Sequence, residues 1–159
     1  MTIADYSARR GAIIHFFPQI YELLRDYCEL PNKIIWTQQI KRQIVDINRR
    51  YILAVDNSKF SNAKVLGFLF FKKHDEKILI DYFCVREKGV ASALLEKFLR
   101  DDAVKAAKTF CISEAIKKEE NDESLERVGL LDNSGFKDGY MEIGGYAETL
   151  KILKTRYGF

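Results

Sequence analysis

The pattern of apolar and polar positions divides the chain into alternating strand-like and helical segments. Apolar runs typical of buried strands alternate with segments whose apolar residues recur every three or four positions, as in an amphipathic helix. Strands are predicted over Thr2–Tyr6, Tyr51–Asp56, Lys64–Lys73, Lys77–Val85, Thr109–Glu114, Phe136–Ile143 and Thr149–Tyr157. Helices are predicted around the apolar stripes Phe17–Cys28, Trp36–Ile47 and Val90–Phe98, and over Glu123–Asn133.

One strand-to-helix junction in this order is a candidate ligand-binding site. The apolar run Ile78–Val85 ends at the charged loop Arg86–Gly89, and helical periodicity begins at Val90. The first turn of a helix presents backbone N–H groups without intrahelical partners, together with the positive end of the helix dipole. The segment Gly89–Ser92 is therefore predicted to form a cradle for a phosphate or pyrophosphate.

The residues at this junction resemble a known signature. The spacing Arg86-x-x-Gly89-x-Ala91 is similar to the Arg/Gln-x-x-Gly-x-Gly/Ala motif with which the GNAT N-acetyltransferase superfamily holds the pyrophosphate of acetyl-coenzyme A. The pair Gly135-Phe136 also resembles the Gly-Phe that follows the fourth helix in many members, and the predicted elements follow the family order. The resemblance implies an α/β fold with a central mixed, mostly antiparallel sheet of six to seven strands flanked by about four helices, forming a single domain over residues 1–159.

The resemblance also implies an activity and a cofactor site. GNAT enzymes transfer acetyl from acetyl-CoA to a primary amine by direct attack in a ternary complex, and the strand before the signature offers backbone groups to the pantetheine arm. Acetyl-CoA is thus expected as co-substrate, with no metal. The implied cofactor-binding residues are Phe83, Cys84, Val85, Arg86, Glu87, Lys88, Gly89, Val90, Ala91, Ser92 and, at the start of the fourth helix, Ser124.

Two features depart from the family pattern. Val85 directly precedes Arg86, whereas many members have a longer loop at this point. Counted back from Gly135-Phe136, the place of the usual tyrosine general acid holds Leu131. Three alternatives remain open: Tyr140 or Tyr146 acts as the acid, a water molecule protonates the thiolate, or the domain binds acyl-CoA or a partner without turnover.

Two carboxylates are candidate general bases. Asp81 lies on the predicted central strand, and Glu114 ends the strand that follows the signature helix. Simple alternation puts Asp81 on the face of Leu79, Phe83 and Val85, where a carboxylate needs either a partner or a function. A structural hydrogen bond or ion pair is the alternative to catalysis for each of them.

Composition limits the other function classes. The 159 residues are 47% hydrophobic and carry a net charge of +3, which favours one compact domain with a substantial core. The basic residues form scattered pairs rather than one stripe, so a nucleic-acid or tRNA modifier is the weaker alternative. The acceptor is expected to be the amine of a small molecule or a peptide, and a homodimer is left open.

The cysteines and the apolar runs indicate the compartment. Cys28, Cys84 and Cys111 lie in apolar runs without metal-ligand spacing, as buried free thiols of a reducing cytoplasm do. No apolar run approaches the ~18 residues of a membrane span, and the start of the sequence has no signal-peptide core. A cytoplasmic protein without membrane contact is expected.

Overall fold

A computed structural model describes residues 1–7, 10–27, 38, 40–44, 46–56, 63–113, 136–137 and 140–157. The strands are β1 (Thr2–Asp5), β2 (Arg49–Asp56), β3 (Lys64–His74), β4 (Lys77–Val85), β5 (Thr109–Ser113), β6 (Phe136–Lys137) and β7 (Tyr140–Gly144). The helices are α1 (Arg10–Ile13), α2 (Phe17–Tyr27), α3 (Lys88–Leu99), α4 (Asp102–Ala106) and α5 (Tyr146–Tyr157), with a 3-10 turn at Ile14–Phe16. Residues 38 and 40–43 are also helical.

The described strands form one seven-stranded mixed sheet in the order β1-β2-β3-β4-β5-β7-β6. Among these strands, β4 and β5 are the parallel pair, and the other neighbours are antiparallel. The predicted α/β fold, with a mostly antiparallel mixed sheet flanked by helices, is confirmed. That residues 1–159 form a single domain stays a prediction.

Helices cover both faces of the sheet, so there are two apolar clusters. On the α3 face, α3 and α5 pack on the sheet, and the cluster includes Ile52, Phe71, Ile80, Phe83, Leu94, Phe98, Phe110 and Leu153. On the α2 face, α2 packs on the sheet, and the cluster includes Ile20, Leu24, Tyr51, Leu53, Phe68, Phe70 and Cys84. Burial on both faces explains why the central strands appear in the sequence as almost continuous apolar runs.

A β-bulge in β4 corrects the predicted orientation of Asp81. Tyr82 and Ile80 pair with consecutive residues of β3, so Asp81 between them is an extra residue. A bulge interrupts the alternation of side chains between the two faces. Phe83 lies in the cluster of the α3 face. Asp81 instead bonds to Arg49, which by strand alternation shares the face of Tyr51 and Leu53 in the cluster of the α2 face. The predicted placement of Asp81 on the face of Phe83 and Val85 was therefore wrong.

The segment Thr149–Tyr157, predicted as a strand, lies within helix α5. Gly145 precedes the helix, and its backbone N–H donates to the Glu148 carboxylate, as in one half of a capping box. Gly144 has φ +134, and a Cβ there would lie 2.8 Å from the Glu148 Oε2 atom. The prediction was wrong because this start signal and the buried Thr149 and Leu153, spaced as on one helix face, outweigh the β-branched residues of the segment.

The remaining predicted elements agree with the structure only in part. The single strand predicted over Phe136–Ile143 is instead two antiparallel strands, β6 and β7. The strand pattern from β1 to β5 and the helices α2 and α3 are confirmed. The predicted second helix does not reach Ile47, which lies 77% exposed in a turn before β2. Helix α4 was not predicted, although Asp101 caps it by accepting the N–H groups of Ala103 and Val104. Outside the described residues lie Cys28, Trp36, Gly135 and the predicted helix Glu123–Asn133.

Within the part of the chain that the structure describes, no helix is long and apolar enough to cross a membrane.

Candidate functional site

The parallel strands β4 and β5 pair over only part of their length. Residues Lys77–Ile80 pair with Thr109–Ile112, and within the described residues the parallel register goes no further. Beyond Ile80, β4 continues to Val85 in pairing with β3. As far as β5 is described, up to Ser113, the carboxyl half of β4 thus lies outside the β4–β5 ladder, directly before the turn into α3.

The first turn of α3 is open at its amino end. Glu87 is the N-cap residue in an extended conformation (φ −139, ψ 148), and its side chain makes no capping hydrogen bond. The N–H groups of Val90 and Ala91 donate to the Glu87 carbonyl at 3.1 and 3.4 Å. The N–H groups of Lys88 and Gly89 belong to the first turn and point out of the helix end. These groups and the helix dipole favour an anion at this position.

Gly89 leaves room for such an anion. The residue is exposed, and a Cβ built on it would meet no other atom within 4 Å. Its backbone conformation is not one that requires glycine, since its φ is not positive. The fold therefore does not need a glycine at this position, whereas close approach of a ligand to the backbone would.

The predicted cofactor-binding residues on β4 and α3 lie in one continuous segment, Phe83–Ser92. Most of the apolar members are buried, so they can offer only backbone groups: Phe83, Cys84, Val90 and Ala91. Arg86 and Glu87 are exposed, and Val85 and Ser92 are half-buried. The backbone N–H of Arg86 donates to the Leu66 carbonyl at 3.1 Å, which ties the turn to β3. Ser124 lies outside the described residues.

Asp81 has a structural partner. Its Oδ2 atom accepts from Nη1 of Arg49 at 2.7 Å, and the two side chains are only 11% and 14% exposed. Asp46 Oδ2 lies 3.6 Å from Arg49 Nε and 3.4 Å from Lys72 Nζ. The N–H of Asn48, and then Lys72 and Arg49, hold the pKa of Asp46 below its usual value. A chain of alternating negative and positive side chains thus joins three strands and the turn before β2, in the order Asp81 of β4, Arg49 of β2, Asp46 of the turn and Lys72 of β3.

Backbone register separates the two tyrosines considered as general acids. Tyr140 pairs with Ser113 at the carboxyl end of β5. Tyr146 packs against Phe110 with ring centroids 6.3 Å apart, and Phe110 pairs with Ile78 near the amino end of β4. Only Tyr140 thus lies toward the end of the parallel pair that precedes α3. Glu114 and Leu131 lie outside the described residues.

Both described cysteines, Cys84 and Cys111, are buried cysteine thiols, as predicted. Burial raises the pKa of the Cys111 thiol, so it stays protonated at neutral pH. Within the described residues, no three His, Cys, Asp or Glu side chains are grouped so that they could hold a metal ion.

The roles of two residues near the site were not predicted from the sequence. Gly67 in β3 lies beneath the turn between β4 and α3, and its only signal was a glycine inside an apolar strand, which often marks a bulge or a close approach. Arg49 lies in the sequence between the predicted helix stripe Trp36–Ile47 and the predicted strand Tyr51–Asp56, and nothing local to it indicates a partner on β4.

Comparison with known proteins gives the fold. No protein-family model and no curated protein sequence matches the chain. A solved structure of a probable acetyltransferase has 16% identity and a TM-score of 0.55, covering 87% of this chain and 95% of its own. A candidate GNAT-family acetyltransferase from Desulfovibrio desulfuricans has 10% identity and a TM-score of 0.56, covering 89% and 94%. The Paia N-acetyltransferase from Thermoplasma acidophilum, solved with coenzyme A, has 10% identity and a TM-score of 0.51, covering 89% and 97%. The chain has the GNAT acetyltransferase fold.

Proposed function

We propose that the protein is an N-acetyltransferase that passes acetyl from acetyl-CoA to a primary amine by direct attack in a ternary complex. The observation that carries the proposal is the open first turn of α3, which follows the part of β4 beyond its parallel pairing with β5. The motif Arg86-x-x-Gly89-x-Ala91 spans this junction between β4 and α3. A solved neighbour of the same fold holds coenzyme A. The acceptor is the amine of a small molecule or a peptide.

In this proposal the cofactor is held by backbone and by charge. The N–H groups of Lys88 and Gly89 bind the pyrophosphate, and the exposed Arg86 adds a guanidinium that suits phosphate oxygens. The end of β4, Phe83–Val85, lies along the pantetheine arm. A backbone N–H of this segment directed at the thioester oxygen would stabilise the tetrahedral intermediate by about 3 kcal/mol.

The reaction needs a base and an acid. The neutral amine attacks the thioester carbon, a C–N bond forms and the C–S bond breaks; the amine loses a proton and the departing thiolate gains one. Glu114 directly follows Ser113 at the carboxyl end of β5, and we assign it the role of base. Tyr140, which pairs with Ser113, is the tyrosine that we assign as the acid. Asp81 is the other candidate base, and its pairing with Arg49 supports a structural role instead.

The first test is a series of thermal melts with acetyl-CoA, CoA and ATP. We expect acetyl-CoA and CoA, at 100 times their dissociation constants, to stabilise the fold by about 2.7 kcal/mol, which raises the Tm by several degrees. ATP should give a much smaller shift because it lacks the pantetheine arm. No shift at millimolar acetyl-CoA would contradict the proposal. Release of free thiol with a panel of polyamines, lysine derivatives and peptides then separates turnover from binding alone.

Substitution of Gly89 should separate the cofactor site from the fold. Because a Cβ there meets nothing within 4 Å, Gly89→Ala and Gly89→Val should both keep a Tm close to that of the wild type. The added side chain obstructs close approach of the pyrophosphate, so the Kd of CoA should rise slightly for alanine and about tenfold for valine, a loss of about 1.4 kcal/mol. Titration calorimetry measures both Kd values, and an unchanged Kd in Gly89→Val would show that the pyrophosphate lies elsewhere.

A further inference from the structure

The second bulge of the sheet lies beside the proposed cofactor site. The register of β3 against β2 shifts at Leu66, so that Leu66 is an extra residue before Gly67. The Leu66 carbonyl accepts the backbone N–H of Arg86 at 3.1 Å. The pairing of β3 with β4 thus continues past Val85 into the turn, and residues 66–67 of β3 support the start of that turn.

Gly67 has no room for a side chain. A Cβ built on it would lie 2.9 Å from the Cys84 carbonyl oxygen, 2.9 Å from Val85 Cγ1 and 3.0 Å from Val90 Cγ1. The first contact is with backbone, so a side-chain rotation cannot relieve it. Val90 belongs to the first turn of α3 and is 5% exposed. The end of β4 and the first turn of α3 therefore both rest on the bare backbone of Gly67.

We propose that Gly67 is a positioning residue for the cofactor site. It contacts no cofactor; it lets the end of β4 and the first turn of α3 lie close enough together to act on one ligand. These are the two segments assigned to the pantetheine arm and to the pyrophosphate, so the inference rests on the proposed function. A side chain at Gly67 moves both segments outward and misaligns the backbone groups that they offer.

The test is Gly67→Ala, titrated with CoA at a temperature at which the variant is fully folded. The Kd of CoA should rise about tenfold, because an overpacked site shifts backbone that the ligand needs in place. Gly11→Ala is the matched control, since a Cβ on Gly11 meets nothing within 4 Å. Val104→Ala controls for lost stability, since Val104 is fully buried in the same cluster but lies in α4. Both controls should keep the wild-type Kd.

A double-variant cycle isolates the contact. Val90→Ala removes one of the three close contacts, so Gly67→Ala should weaken CoA binding less in the Val90→Ala background than in the wild type. If Gly67→Ala alone is too unstable to titrate, the double variant is compared with Val90→Ala. The proposal then requires that the double variant bind CoA more weakly than Val90→Ala does. A Kd that rises equally in Val104→Ala would overturn the proposal, because general destabilisation would then explain the effect.

Amide hydrogen exchange keeps this inference distinguishable from the proposed function. In Gly67→Ala, the amides of Arg86, Val90 and Ala91 should exchange faster than in Gly11→Ala, with no cofactor present. If the wild-type protein does not bind CoA but these amides exchange faster in Gly67→Ala, the proposed function is refuted, whereas the role of Gly67 in placing the turn is retained. Unchanged exchange at all three amides would refute that role.

Discussion

Replacement of Phe98 by alanine is expected to lower the free energy of unfolding by about 4 kcal/mol, because it removes a large buried ring and leaves a cavity. The Phe98 side chain is fully buried. Its ring packs edge-to-face on Phe71 of β3, with centroids 5.0 Å apart, and on Phe110 of β5, with centroids 6.3 Å apart. These two strands flank β4, so Phe98 fixes α3 across the parallel pair.

Urea denaturation followed by circular dichroism measures this effect. Phe98→Leu keeps most of the apolar volume and should cost no more than about 1.5 kcal/mol. Lys97→Ala on the exposed side of the same helix should change stability by less than about 0.5 kcal/mol. A loss below about 1 kcal/mol in Phe98→Ala would mean that the core around α3 closes over the cavity, and that Phe98 does not hold the helix in place.

Local patterns were sufficient for the elements that build the fold. The run Ile78–Val85 identifies a strand, because a strand buried on both faces is apolar at nearly every position. The spacing of Val90, Leu94 and Phe98 identifies a helix, because only one face of the helix packs on the sheet. The turn begins at Arg86 as predicted, and α3 begins at Lys88, two residues before the predicted start at Val90. The open first turn of α3 follows directly from that boundary, which is why the candidate cofactor segment could be predicted.

Features that depend on partners elsewhere in the chain could not be predicted. The bulges at Leu66 and Asp81 are properties of register between strands, and a single strand sequence does not contain its register. The ion pair of Asp81 joins β4 to Arg49, which is 32 residues away in the chain. Gly145 and Glu148 do form a local signal for the start of α5, since the Glu148 carboxylate accepts the Gly145 N–H as in one half of a capping box.

Loss of the ion pair between Arg49 and Asp81 is expected to have the second large effect on the free energy of unfolding. Arg49→Met should lower the free energy of unfolding by about 3 kcal/mol, because it leaves the Asp81 carboxylate in a largely buried position without the guanidinium. Asp81→Asn should cost less, since Arg49 keeps Asp46 at 3.6 Å. The double variant Arg49→Met with Asp81→Leu should recover most of the loss, because it leaves neither charge without the other. Equal losses in the double variant and in Arg49→Met would show that the ion pair is not the cause.

The same substitutions decide whether Asp81 is the general base. A base must accept the proton of the substrate amine through a carboxylate oxygen, and the Oδ2 atom of Asp81 is already bonded to the Arg49 guanidinium at 2.7 Å. If Asp81 only pairs with Arg49, Asp81→Asn loses stability but keeps the pH profile of kcat/KM, measured well below its Tm. If Asp81 is the base, the same variant loses about 100-fold or more in kcat/KM and the acidic limb of the profile disappears. We expect the first result, with the acidic limb disappearing instead in Glu114→Gln.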